Sequence, residues 1–348
     1  MILVVCLNPA LDVTHHVENV DWAGVNRPAA VYARPGGKGI NVARTLNALG
    51  ADVVLLGLAG GPTGNAIEAE LRALGLSVVF THIAGDTRRT FTVVDASGKA
   101  ALFNEPGPEV AAAEWDEFRA AYRRVLLIAA RQDAVAVLSG SLPPGLPDGA
   151  YATLITAAKA AGVATLLDTS GAALRHGIAA GPDIVKPNLA ELGALSWGQA
   201  HDSGHSGASE GTQTSTVMAA AAVRAAGVQS VVVSLGADGL LADTPAGRWH
   251  ARPPAVVAGN ATGAGDAVVA ALAHGLVSGR PWPGRLRHAV ALGAATAASP
   301  VAGEFVAADY SAGLANATVC ELPPAPSPGS RQAQPPQPQS ACQEREAR

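Results

Sequence analysis

The sequence predicts an α/β fold, a doubly wound and mostly parallel sheet flanked by helices, with a small β-flap beside it. Three observations lead there. Short β-branched or Leu-rich runs, apolar throughout and ending at Gly, Asp or Ser, recur along the chain, as strands do in a parallel sheet covered on both faces. Ala-rich segments of helical periodicity lie between them, and strand–helix alternation with right-handed crossovers gives a doubly wound sheet. Two stretches, 12–34 and 87–103, instead alternate apolar and polar residues, the pattern of solvated antiparallel strands.

Along the chain, strands are expected at residues 2–7, 53–58, 134–138, 164–167, 184–185 and 230–234. Helices are expected at 40–49, 65–74, 113–130, 149–161, 216–226 and 264–278. The alternating stretches, with Thr90, Phe91, Thr92, Val93 and Val94 in the second, form either the flap or ordinary edge strands. Residues 198–215 are rich in Gly, Ser and His and read as a flexible insertion. His201 and His205 are four apart there, but the segment has too many glycines for a helix that would present them to a metal. Residues 1–322 read as one domain. Residues 323–348, with seven Pro and five Gln and no apolar periodicity, read as a disordered tail.

Composition excludes several classes. Only 15% of the 348 residues are charged and 4% are aromatic, against 49% hydrophobic. A net charge of −4 without a basic stripe or aromatic platforms argues against a nucleic-acid partner. The apolar content suffices for a core. The start MILVVCLNPALD has no basic segment before its apolar run and makes a poor signal peptide. No run of about 18 apolar residues is present, so no membrane partner is expected. Cys6, Cys320 and Cys342 lack CxxC spacing and give neither a zinc site nor a disulfide framework; Cys6 reads as a buried thiol in a reducing compartment. The expected location is the cytoplasm.

Five segments carry chemistry. Arg34-Pro35-Gly36-Gly37-Lys38-Gly39-Ile40-Asn41 places glycines at a loop-to-helix junction, where a ligand can approach the backbone and Lys38 adds a charge; it reads otherwise as a glycine turn capping a helix. No Ser or Thr follows the lysine, so it is not a Walker A loop. Gly263-Ala264-Gly265-Asp266 opens an apolar helix. Its successive N–H groups suit the charge on a transferring phosphoryl group, and Asp266 could take a proton from an attacking hydroxyl or serve only as a favourable first-turn acid. Lys186-Pro187-Asn188-Leu189-Ala190-Glu191 follows a strand. Asn188 and Glu191, three apart, are either oxygen ligands suited to Mg²⁺ through water or a capping box. Ser139-Gly140-Ser141-Leu142-Pro143-Pro144-Gly145 and Ser234-Leu235-Gly236-Ala237-Asp238-Gly239 sit at strand ends, where ligand crevices form; the second also reads as a hairpin. A rival, Gly57-Leu58-Ala59-Gly60-Gly61-Pro62-Thr63-Gly64, lacks the spacing of a dinucleotide fingerprint.

Together and in this order, these segments and Asn8-Pro9-Ala10-Leu11-Asp12 resemble the ribokinase-like (phosphofructokinase-B type) carbohydrate kinases over roughly residues 1–315. Thr87-Arg88 and Phe103-Asn104 add a similarity to the 1-phosphofructokinase and tagatose-6-phosphate kinase branch. The resemblance implies an ATP-dependent kinase with Mg²⁺. In it Asp266 is the base and Gly263, Ala264 and Gly265 form the anion hole. Asp12, Gly36, Gly37, Lys38, Asn41, Asn104 and Ser139 hold the sugar, and Arg88 with Lys38 meets a phosphate already on it. Lys186, Asn188, Ser234, Gly236 and Gly239 contact ATP together with Gly263 and Gly265, and Asn188 and Glu191 organise the metal indirectly. The flap becomes a β-lid, within 12–34 and 87–104, through which a homodimer can form. The implied reaction takes fructose 1-phosphate to fructose 1,6-bisphosphate, with tagatose-6-phosphate kinase or 6-phosphofructokinase as alternatives. A non-catalytic sugar-phosphate sensor is a different class, and two cations at Lys38 and Arg88 argue against an unphosphorylated sugar or nucleoside. Ala261 stands where the family often has Thr or Ser, the 198–215 segment is more Gly-rich than the family's usual helical connection, and the tail has no family counterpart.

Overall fold

In a computed structural model, which describes residues 1–195, 210–254, 262–299 and 303–323, the first strand, β1 (Ile2–Cys6), sets the architecture. Period-two alternation sends Ile2, Val4 and Cys6 into one apolar cluster and Leu3, Val5 and the following Leu7 into another. A strand buried on both faces needs helices on both. The remaining strands are β2 (Ala10–His16), β3 (Ala30–Gly36), β4 (Val53–Gly60), β5 (Ser77–Ile83), β6 (Arg89–Val94), β7 (Ala100–Asn104), β8 (Val135–Ser139), β9 (Ala164–Asp168), β10 (Ile184–Val185), β11 (Ser230–Ser234), β12 (Leu240–Thr244), β13 (Gly247–Arg252) and β14 (Thr318–Glu321). The helices are α1 (Lys38–Ala48), α2 (Gly61–Ala73), α3 (Ala112–Ala129), α4 (Ala150–Ala160), α5 (Gly171–Ala179), α6 (Leu189–Ala194), α7 (Glu210–Ala225), α8 (Ala264–Val277), α9 (Trp282–Ala298) and α10 (Ala307–Asn316).

Helices α1, α2, α8 and α9 cover the face carrying Ile2 and Val4. Helices α3, α4, α5 and α7 cover the other, where Phe118, Tyr122 and Tyr151 are fully buried. Small residues let the layers approach. A Cβ at Gly39 would stand 2.5 Å from the Cβ of Cys6, so glycine there allows α1 to lie directly on β1.

The main sheet runs β14-β13-β12-β11-β10-β9-β8-β1-β4-β5. From β5 to β11 every pair is parallel, and β12, β13 and β14 add an antiparallel edge. The chain builds outward from β1 first through β4 and β5, then on the other side through β8 to β11. That reversal makes a topological switch point, and the ligand crevice of such a sheet lies beyond its strands' carboxyl ends.

The second sheet, ordered β3-β2-β6-β7, realises the two alternating stretches of the sequence. Asp12 pairs with Arg34 on one side and Thr90 on the other, and Thr90 pairs with Asn104. Period two therefore puts Asp12, Thr14, Arg34, Thr90, Thr92, Leu102 and Asn104 on one face, and all seven line the same cleft.

Several bounds differ from the sequence expectation. Helix α2 starts at Gly61, four residues early, because Pro62 fits a first helical turn; this also accounts for the glycines of the rival fingerprint. Strand β12 is the second arm of the hairpin read at Ser234–Gly239, whereas strands β5, β13 and β14 and helices α5, α9 and α10 have no counterpart in it. Of the 198–215 segment, residues 198–209 lie outside the described residues and 210–215 begin α7; His201, His205, Ala261 and residues 324–348 also lie outside them. Cys6 is free and buried as expected, whereas Cys320 on β14 is disulfide-bonded, which the cysteine spacing did not suggest. Among the described residues no helix is long and apolar enough to cross a membrane.

Candidate active site

A cleft of about 740 Å³ lies where the carboxyl ends of β1, β8, β9, β10 and β11 face the small sheet. Its floor is built from the residues that follow each strand: Asn8 after β1, Gly140 and Ser141 after β8, Thr169 and Ser170 after β9, and Lys186 after β10. Asp168 and Ser234, the last residues of β9 and β11, complete it.

Asp266 sits in the first turn of α8, behind Gly263. Gly263 is the N-cap in the left-handed region (φ 86°), which a side chain would strain. The first N–H groups of a helix have no partner within it. Gly263 and Gly265 both line the cleft, with Ala264 between them. Asp266 is only 6% exposed and accepts a 2.9 Å hydrogen bond from the Asn41 amide of α1. An acid placed merely to complement the helix dipole has no reason to be buried. Burial, reinforced by the charge of Asp168, pushes its carboxyl up to about 7, against the pull of Asn41, Lys38 and Lys186. A carboxylate poised near neutrality beside an array of N–H groups is equipped to take a proton as charge develops next to it.

Four further charged side chains converge on this end. Lys186 is 4% exposed, and its Nζ lies 3.2 Å from Oδ1 of Asp168. Lys38 reaches the same oxygen at 3.7 Å and Oε1 of Glu191 at 4.0 Å. Burial lowers the affinity of Lys38 for its proton, but the carboxylates of Asp168, Asp266 and Glu191 outweigh this and its pKa is raised. Asn188 and Glu191 do form a capping box: Glu191 N donates to Asn188 Oδ1 at 2.8 Å and Asn188 N donates to Glu191 Oε2 at 2.9 Å. Both also line the cleft, so a local structural role and a ligand-facing position coexist.

On the opposite wall Asp12 accepts a hydrogen bond of 2.5 Å from Thr90, and its burial raises its pKa against the pull of Thr90, Arg34 and Arg88. Arg88 donates to the carbonyls of Asn8 at 3.4 Å and Glu105 at 3.0 Å. Lys38, Gly37 and Asn41, from the start of α1, lie between the two walls.

Four expected residues are placed differently. Ser139 is fully buried and does not line the cleft; its hydroxyl donates to Oδ2 of Asp168 at 3.5 Å, and Ser141 lines the cleft instead. Gly36 also stays out, because the space of its missing side chain is filled by Asp12, whose Oδ2 would stand 1.8 Å from a Cβ there. Gly36→Ala should displace the Asp12 carboxylate and weaken the binding of any ligand that this carboxylate holds by roughly 10- to 100-fold, the loss expected for hydrogen bonds to a charged group; unchanged ligand affinity would leave Asp12 without a binding role. Gly236 and Gly239 are not lining residues. They shape the turn between β11 and β12, where a Cβ at Gly239 would meet the Ala251 carbonyl at 2.0 Å. The hairpin reading describes them.

The sequence reading omitted Asp168, Thr90, Thr92 and Arg34 from its site residues. Asp168 carried a signal, as a polar residue at the carboxyl end of an apolar strand. The threonines carried one only through the sheet register.

A buried carboxylate beside a helix N-terminus, with cations gathered at the same end of a crevice, is an arrangement suited to the transfer of an anionic group. The signature of the pfkB family of carbohydrate kinases matches residues 1–307, and the chain belongs to that family. It is 39% identical over 280 residues, 79% of this chain and 84% of the relative, to a 1-phosphofructokinase of Xanthomonas campestris pv. campestris. Among solved structures it resembles phosphofructokinase-2 from Escherichia coli in complex with potassium, at 30% identity and a TM-score of 0.80 over 90% of this chain and 98% of that one. The same Escherichia coli enzyme in complex with fructose-6-phosphate gives 29% identity and a TM-score of 0.78 over the same shares. The chain is thus a sugar-phosphate kinase of ribokinase-like fold, and its family implies ATP as co-substrate.

Proposed function

We propose that the chain transfers the γ-phosphoryl group of ATP to fructose 1-phosphate, giving fructose 1,6-bisphosphate. The observation that carries this reading is the buried Asp266, near neutrality in its proton affinity and seated at the N-terminus of α8. The 39% identity to a 1-phosphofructokinase favours the substrate. Asp266 accepts the proton of the sugar hydroxyl as its oxygen attacks the γ-phosphorus. The bond from that phosphorus to the β,γ-bridging oxygen breaks, and ADP leaves with the electron pair. The N–H groups at Gly263, Ala264 and Gly265 and the ammonium of Lys186 meet the charge on the transferring group. Asp12, Asn41 and Asn104 orient the sugar, Arg88 binds its phosphate, and Ser234 and Asn188 lie where the nucleotide enters. The small sheet acts as a lid that keeps water from the transfer.

The donor chemistry fits Mg²⁺ in one manner. Among the described residues no group of three or more His, Cys, Asp or Glu could cage a metal, while Glu191 presents carboxylate oxygen at the phosphate end. Mg²⁺ would arrive on the ATP phosphates, keep most of its waters, and be reached through water by Glu191 and Asn188, supplying charge neutralisation.

An ADP-release assay over fructose 1-phosphate, fructose 6-phosphate, tagatose 6-phosphate, fructose and adenosine tests the reading. The highest kcat/KM is expected for fructose 1-phosphate. A higher value for either 6-phosphate would reassign the substrate, and ligand binding without ADP release would make the protein a sensor.

The lid supports a homodimer. Tyr32 and Leu102 on the cleft face of the small sheet and Val31 and Phe103 on its other face are each at least half-exposed, apolar positions that a second copy of the lid would cover. Sedimentation velocity should show a dimer; a fully active monomer would rule out this role for the lid.

A further inference from the structure

We propose that Asp168 is a positioning residue for phosphoryl transfer: its carboxylate holds the ammonium groups of Lys186 and Lys38 at the phosphate end of the cleft and keeps them off Asp266. The proposal rests on the reading of Asp266 as the base.

Asp168 ends β9 and is 1% exposed. One of its oxygens, Oδ1, faces both lysines, at 3.2 Å from Lys186 and 3.7 Å from Lys38. Both ammoniums lie within ion-pair distance of Oδ1, which holds them by charge. The other oxygen, Oδ2, accepts from the buried Ser139 hydroxyl of β8, which fixes the plane of the carboxylate. Two rigid neighbouring strands therefore orient this counterion. Lys186 in turn is carried to the backbone of α8: a Cβ at Gly265 would stand 3.8 Å from its Nζ. That places a buried cation beside the N–H groups of the anion hole.

A buried ammonium needs a counterion. Asp266 faces Asp168 from β9, Lys186 from the segment after β10, and Lys38 and the Asn41 amide from α1. Without the charge of Asp168, both lysines would find their compensation in Asp266. A carboxylate paired with a lysine is a weaker base, and a lysine turned to it no longer meets a phosphate. Asp168 thus serves the base and the anion hole together, without touching the reacting atoms itself. A purely structural ion pair, or a carboxylate that serves only as a metal ligand, would leave the protonation of Asp266 out of the account.

Steady-state kinetics of the full-length chain with ATP and its best hexose phosphate, from mildly acid to alkaline pH, test this for Asp168→Asn, Asp168→Glu, Lys186→Met and the Asp168→Asn/Lys186→Met double variant. Asp168→Asn should lower kcat by about 100-fold, the scale of losing one preorganised electrostatic group. Its acid limb of kcat/KM should move to lower pH by about one unit, because a like charge is removed from beside Asp266. The double variant should be no worse than Lys186→Met by more than about 3-fold, since the two residues act as one unit. An unmoved acid limb, multiplicative losses in the double variant, or activity restored by raising Mg²⁺ would each overturn the proposal. If Asp168→Asn does not fold, Asp168→Glu keeps the charge but moves it by one methylene; it should lose kcat with its acid limb near that of the wild type, and wild-type kcat would overturn the proposal. A wild-type chain that phosphorylates no hexose phosphate would instead remove the kinase reading, an outcome distinct from an active wild type beside an unshifted Asp168→Asn.

Discussion

Replacing Asp266 with Asn should cut kcat by about 1,000-fold, within the usual range for a positioned general base, while ATP affinity stays within a few-fold. The amide keeps the size of the side chain and can still accept from Asn41, so the anion hole at Gly263 and Gly265 remains assembled. Only the proton acceptor is lost. The wild-type profile carries a matching signature. With the Asp266 pKa near 7, kcat/KM of the free enzyme should rise through neutrality and level off above it, and Asp266→Asn should lack that limb. The same group predicts an opposite trend in stability. Its pKa in the folded chain is raised above the ordinary carboxylate value, so the folded state favours the protonated form. The stability this provides is complete below the ordinary value near 3.8 and is lost as pH rises through 7. A difference of that size corresponds to about 4 kcal/mol at most. Asp266→Asn should therefore melt above the wild type at pH 8 and close to it at acid pH. Full turnover by the variant would remove Asp266 as the base; lower stability at alkaline pH would contradict the cost of holding it ionised.

The sequence reveals most where burial is two-sided. β1, β8 and β11 are short runs without a polar break, and their positions follow from composition. Strand β5 is different: its buried residues, Val78, Thr81 and Ile83, are spaced irregularly at the sheet edge, and Thr and His between them read as loop. Helices α9 and α10 were missed because their buried residues include Ala, Gly and Thr, too small to make a strong apolar stripe. In the site, Asp12, Lys38, Asn41, Arg88 and Asp266 stood out as polar residues in glycine-rich or alternating segments, and the cleft gathers all five. Ser139 illustrates the limit. At the end of β8 its hydroxyl turns to Asp168 on the neighbouring strand, and Ser141, beyond the turn at the positive-φ Gly140, lines the cleft instead. Which of two neighbouring polar residues faces a ligand depends on strand ends and register, and a single sequence fixes these only to within a residue or two. Asp168 was missed for a related reason: its partners Lys186 and Lys38 come from distant segments, and only the parallel order β8-β9-β10 brings them together.

Arg88→Met should lower kcat/KM for the hexose phosphate by roughly 10- to 100-fold while leaving any turnover of unphosphorylated fructose within about 3-fold, since a hydrogen bond to a charged group contributes about 1.5–3 kcal/mol. The argument turns on what compensates each cation. Lys38 faces two carboxylates, Asp168 and Glu191, so part of its charge is already answered within the protein. Arg88 is held by the carbonyls of Asn8 and Glu105, and among the described residues no carboxylate lies within ion-pair distance of it. Carbonyl dipoles fix the direction of a guanidinium without neutralising it. An arginine oriented by carbonyls, with the charge of Asp12 acting on it only from beyond ion-pair distance, is the arrangement that a phosphate ester completes, and the planar fork suits two phosphate oxygens at once. Methionine keeps much of the stem but neither the charge nor the fork. Arg88→Lys should recover only part of the loss, because an ammonium lacks the planar fork that engages two phosphate oxygens at once. Comparing phosphorylated and unphosphorylated sugars separates recognition from architecture. Equal losses on both would mean that Arg88 merely braces the Asn8 and Glu105 loops. No loss on either would place the sugar's phosphate elsewhere in the cleft. A loss confined to the phosphorylated sugar is what a phosphate-binding Arg88 requires.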